Sequence, residues 1–137
     1  MLAARSATKS AVEQVLDEGS AELEARDAGG YTAFLWACLG GDVGCMDALV
    51  RAGCDRGAVD SDLRTGLICA AANGHAQAVE ALLGWSGGGK RLLDARDAEG
   101  MSAFMWTVER RQVACMLLLI KAGCDATPPP ERRRAKE

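Results

Sequence analysis

Residues 25–55 and 95–125 are two copies of one stretch, offset by 70 positions without a gap. ARDAGGYTAFLWACLGGDVGCMDALVRAGCD recurs as ARDAEGMSAFMWTVERRQVACMLLLIKAGCD, and 16 of the 31 positions are identical, which marks duplication rather than coincidence. A looser third copy, VDSDLRTGLICAAANGHAQAVEALL, lies between them at 59–83. The opening aspartates Asp27, Asp60 and Asp97 are 33 and 37 residues apart, so the middle copy is the longer one. A period of this size restricts the chain to an array of stacked supersecondary units.

Each unit reads as two short helices. Phe34, Ala37 and Cys38 fall on one face at helical spacing, Gly40-Gly41 interrupts, and Met46, Leu49 and Val50 resume the i, i+3, i+4 pattern. Gly53 stands where a positive φ ends a helix, and Thr32 and Ser102 stand where an N-cap oxygen belongs. Neither helix can bury its apolar stripe alone, so the copies must stack. With few aromatics and no sustained β alternation, the expected fold class is all-α.

These residues resemble the ankyrin repeat family, whose pattern runs roughly D-x-x-G-x-T-P-L-H-x-A-A-x-x-G-H, an apolar helix, then L-L-x-x-G-A-D. The middle copy keeps AAANGHAQAVEALL with Gly74-His75. The first keeps Asp27, Gly30, Thr32, Ala37, Gly41, Gly53 and Asp55, and the third keeps Asp97, Gly100, Ala122, Gly123 and Asp125. Ala33, Gly66 and Ala103 replace the family's proline, and Leu35, Ile68 and Met105 replace its histidine. The resemblance implies an ankyrin solenoid over about residues 10–126. It also implies an array softer than the family's ideal, because a hydroxyl–imidazole hydrogen bond is lost in every copy.

The expected boundaries are a half repeat at 8–24, full repeats at 27–59, 60–96 and 97–126, an inserted loop at 84–93 and a tail at 127–137. Residues 1–12 carry Arg and Lys without acid, as a presequence does, but they run directly into a half-repeat stripe of Val12, Val15 and Leu16. Three glycines make 84–93 a flexible loop. Three prolines followed by a basic run make the tail a solvated, disordered end. The apolar helix at 113–122 is too short to span a bilayer, so no membrane insertion is expected. It cannot point Leu117, Leu118 and Ile120 inward together, which raises self-association or a further covering element.

Candidate chemistry is sparse. Six cysteines lack the short C-x₂₋₄-C pairs of a zinc site. In a stack, Cys45 and Cys115, and likewise Cys54 and Cys124, sit two repeats apart, well beyond the about 7 Å between Cα atoms that a disulfide allows. Buried free thiols are expected instead, placing the chain in the cytoplasm or nucleus. GWSGGGKR at 84–91 approaches a phosphate-binding loop, but it follows a helix and has Arg91 where a hydroxyl is needed. His75 has no nucleophile or carboxylate constellation around it. No catalytic residue, cofactor or metal is assigned. Trp36 and Trp106 occupy equivalent positions, either as packing along the first-helix row or as an aromatic groove.

Net charge is −3; the tail's four cations and two acids contribute +2, leaving −5 for the body, which argues against nucleic acid as the main partner. The resemblance implies a non-catalytic protein-interaction module, its partner held on a concave face of hairpin tips and first helices. In register, the tips present Tyr31, Asp62, Arg64, Glu99 and Met101, and the first-helix ends present Leu39, Asn73, Glu109 and Arg110. The alternative is a regulatory array within a larger enzyme or channel.

Overall fold

The computed structural model describes residues 26–85, 93–125 and 127. The half repeat at 8–24, residues 86–92 of the inserted loop and the arginine run of the tail lie outside them. Six helices run through the described residues: α1 (Ala33–Gly40), α2 (Val43–Arg51), α3 (Gly66–Ala72), α4 (Ala76–Trp85), α5 (Ala103–Glu109) and α6 (Val113–Lys121).

The first helix of each copy starts on a hydroxyl. Thr32, Thr65 and Ser102 accept from the backbone N–H of Leu35, Ile68 and Met105 at 3.3, 3.2 and 3.2 Å. Each bond satisfies one of the amides a helix start leaves open. Asp42 does the same for α2 through Cys45 N–H at 3.1 Å. Gln112 does not cap α6 with its side chain, which instead lies over the Gly74 turn of the preceding copy.

The helices form two layers. α3 packs against α1 and α5, while α4 packs against α6 and more lightly α2. Phe34 and Phe104 are buried, together with Leu35, Met46, Leu49, Ile68, Val79 and Leu119. All of these except Leu35 belong to one continuous cluster across the copies, the solenoid seam. The approach of α3 to α1 depends on Gly66, where a Cβ would stand 2.8 Å from Cys38 Sγ.

The connections form a second ladder. Gly29 O accepts from Ser61 N at 3.2 Å, and Asp62 O accepts from Ala98 N at 2.8 Å, so each tip is pinned to the next at equivalent positions. His75 Nε2 lies 2.9 Å from Leu39 O and ties the turn of one copy to the helix end of the copy before. Among the described residues, no helix is long and apolar enough to cross a membrane.

Candidate functional site

Every tip is built on an aspartate. Asp27 Oδ1 accepts from Gly29 and Tyr31 N–H at 3.0 Å each. Asp60 Oδ1 accepts from Asp62 and Arg64, at 2.8 and 2.9 Å, and Asp97 Oδ1 from Glu99 and Met101, at 2.9 Å each. The second oxygen differs between copies. Asp27 Oδ2 takes the Trp36 indole N–H at 2.7 Å, and Asp97 Oδ2 takes that of Trp106 at 2.8 Å. Asp60 has no indole within reach, because Cys69 stands at the equivalent position, and Arg64 Nε donates to it at 3.0 Å instead. The two tryptophans therefore brace their own tips. The backbone N–H of Tyr31, with the indole and the Gly29 N–H adding to it, holds the Asp27 carboxyl below the usual carboxylate range against the opposing effect of desolvation.

The missing indole opens a slot. A cavity of about 140 Å³ lies over Cys69, walled by Leu39, Ile68, Ala72 and Trp106 and rimmed by Arg64, Asn73 and Arg110. Four expected contact residues, Leu39, Arg64, Asn73 and Arg110, thus converge from all three copies. Arg110 lies over Trp106, its guanidinium carbon 5.3 Å from the ring centroid. Gly40 stands at the equivalent position in the first copy and covers nothing, and Trp36 is 42% exposed where Trp106 is 6% exposed. Tyr31 leans on Trp36 with ring centroids 4.9 Å apart, and its hydroxyl accepts from Arg64 Nη2 at 3.3 Å. Burial pushes the Tyr31 phenol up, Arg64 opposing. Arg64 also pairs with Asp60 and Asp62 at 3.0 Å each; burial works against its charge, but Asp60, Tyr31 and Cys69 together outweigh it and raise the guanidinium.

The remaining expected contacts divide. Asp62 and Glu99 are exposed at the second and third tips, and Glu109 is half-buried at the end of α5. Met101 is a correction: it is 1% exposed and belongs to the core cluster, so it offers nothing to a partner. Tyr31 and Arg64, at the same place in their copies, end in polar groups that must reach water or a hydrogen-bond partner; the thioether has no such requirement and turns inward.

One residue escaped the sequence reading. Leu63 has φ +62° and is 52% exposed, where Gly30 and Gly100 stand in the other copies. The signal was available, since the register demands glycine there. Arg111, with φ +57°, likewise replaces the turn glycines Gly41 and Gly74.

The sequence profile of ankyrin repeats in three copies matches residues 1–88 and 45–129. The chain belongs to the ankyrin repeat family. Among known relatives, inversin of Gallus gallus is 32% identical over 104 residues, covering 75% of this chain and 9% of inversin. Inversin of Homo sapiens is 29% identical over 123 residues, covering 87% of the chain and 11% of that protein. The chain therefore spans about a tenth of the length of these relatives.

Where the ankyrin pattern has histidine, Leu35, Ile68 and Met105 are all buried. The Met105 sulfur accepts from Ser102 N at 3.5 Å, which with the Ser102 hydroxyl on Met105 N closes a capping box. All six cysteines are free thiols. Burial pushes the Cys69 thiol up to about 12 and Cys38 well above its ordinary value, so both are held as neutral apolar groups. Among the described residues no three His, Cys, Asp or Glu side chains cluster as a metal site would require.

Proposed function

We propose that this ankyrin array is a non-catalytic protein-interaction module whose partner lies along the hairpin tips and first helices. The observation that supports it best is the slot over Cys69, where side chains from three copies converge on one face. Tyr31, Asp62, Glu99 and Glu109 extend that face, and Met101 is withdrawn from it. A body carrying −5 favours a protein partner over nucleic acid. Free thiols suit a reducing compartment, the cytosol or nucleus. The test is a photo-crosslinking residue at Asn73, compared with one at exposed Glu80 on α4, each exposed to lysate of the source cell. Adducts at position 73 and none at 80 are expected. The opposite pattern, or equal capture at both, would overturn the reading.

A second reading concerns self-association, and it rests on α6. Val113, Leu117 and Ile120 form an exposed row, at 59%, 60% and 48%. In α2 and α4 the positions equivalent to Val113 and Ile120 hold Val43, Val50, Ala76 and Leu83, all partly buried against the core. The position equivalent to Leu117 holds acids, Asp47, half-buried and paired with Arg51 at 3.1 Å, and exposed Glu80. Leu117 is thus apolar where the repeat register asks for charge. We propose that two copies of the chain meet through this row. Three side chains fall far below the about 800 Å² per partner of a standard interface, so the dimer should be weak. The apparent mass by light scattering is expected to rise with concentration, and Leu117→Glu to abolish the rise. A mass independent of concentration would remove self-association through α6.

A further inference from the structure

The ninth residue after each tip aspartate is Trp36, Cys69 or Trp106. Two copies carry an indole there and the middle one carries the smallest thiol side chain. The slot is the space so left open, and its volume is about 140 Å³. An apolar cavity of roughly 150 Å³ accommodates a benzene ring, whereas small-molecule sites run from about 300 to 1,000 Å³. The size fits a single large side chain and lies below the usual range of small-molecule sites.

Its chemistry narrows the occupant further. Leu39, Ile68 and Ala72 supply apolar walls and Trp106 an aromatic one. The carboxylate oxygen that would receive an indole N–H, Asp60 Oδ2, is already bonded to Arg64 Nε at 3.0 Å. An indole entering from outside would have to share Asp60 Oδ2 with Arg64 or find another acceptor, whereas a phenyl ring needs none. At the rim, Arg64 has its charge answered by Asp60 and Asp62, while exposed Arg110 forms no ion pair with any described carboxylate. The charge available to a ligand is thus one guanidinium, held in place against Trp106.

We propose that the slot over Cys69 receives a phenylalanine side chain from an extended peptide segment of the partner, and that a carboxylate next to that residue pairs with Arg110. This names the chemistry of the partner and rests on the tip-and-first-helix face being the binding face. The arrangement places a ring supplied in trans between the two indoles supplied in cis.

The experiment uses the full chain, labelled with nitrogen-15, and three blocked pentapeptides: Ala-Glu-Phe-Glu-Ala, the same with alanine for phenylalanine, and the same with lysine for both glutamates. The first should shift the Trp106 indole N–H and the Asn73 side-chain amide in a saturable way, with the millimolar affinity expected of so short a ligand. The alanine peptide should leave both signals unmoved, and the lysine peptide should bind at least tenfold more weakly. Arg110→Glu should reverse the preference between the charged peptides. Cys69→Trp, which fills the slot with the side chain of the other copies, should abolish binding; Cys69→Met does the same by volume should the indole perturb α3. Equal binding of the alanine peptide, unchanged preference in Arg110→Glu, or saturable shifts confined to other surfaces would each overturn the slot assignment. Crosslinking from Asn73 together with no phenylalanine-dependent shift would sink this inference and leave the face reading intact. Capture at Glu80 instead would remove the face reading itself.

Discussion

At the scale of the residue, two side chains sit in backbone conformations that the repeat elsewhere reserves for glycine. Leu63 and Arg111 hold φ of +62° and +57°. A left-handed non-glycine costs about 1–2 kcal/mol, and glycine gives back about 0.5–1 kcal/mol through its larger unfolded-state entropy. Arg111→Gly is therefore expected to stabilise by about 0.5–1 kcal/mol, read as a higher urea midpoint at unchanged slope. Leu63→Gly should stabilise by a similar amount and also weaken capture of the partner, because an apolar, exposed, strained residue at a tip is the profile of a contact residue. A loss of stability in either variant would show that the side chain contributes more to the fold than the backbone strain removes. The strain itself could be read from the register, since both positions interrupt an otherwise regular glycine pattern. That Met101 turns inward while Tyr31 and Arg64 do not was not legible, because all three occupy the same place in their copies.

At the scale of the element, the turn between paired helices is where one copy grips the next. Gly41 and Gly53 both have positive φ, +70° and +92°. A Cβ at Gly53 would meet nothing within 4 Å, whereas one at Gly41 would stand 2.5 Å from the His75 ring. Gly53→Ala should then cost only the left-handed penalty of about 1–2 kcal/mol. Gly41→Ala should cost at least about 1 kcal/mol more, since the ring must move and its contact with Leu39 O is lost. In a double-mutant cycle His75→Ala should recover part of the Gly41→Ala loss; strict additivity would mean the two turns do not grip each other. Helix pairs, caps and turn glycines were all legible in the chain, because 3.6-residue spacing and local capping are properties of a short segment. The indole braces on Asp27 and Asp97 were not, since nine residues separate the partners and only the folded tip brings them together.

At the scale of the whole molecule, stability is a sum over copies and their interfaces. The expectation of a softer array came from the absent histidines. Burial of their replacements works the other way: filling the site with Ile68 contributes about 1.5–3 kcal/mol, against about 0.5–1.5 kcal/mol for one hydrogen bond. Ile68→His is accordingly expected to lower the urea midpoint of the whole array, by the equivalent of about 1–2 kcal/mol. A rise would show that the missing imidazole, rather than the seam, limits this array.

The repeat, the paired helices, their apolar stripe and the free thiols follow from the amino-acid order alone, because each depends on spacing within one copy or on the register between copies. The tertiary structure alone decided which of the equivalent side chains face outward, that Arg64 takes the place of an absent indole, and that this exchange leaves a ring-sized slot between neighbouring repeats. Those outcomes depend on which side chain reaches each tip carboxylate once the tip has folded, and on how side chains of adjacent copies share the space between them, contacts that spacing along the chain does not specify.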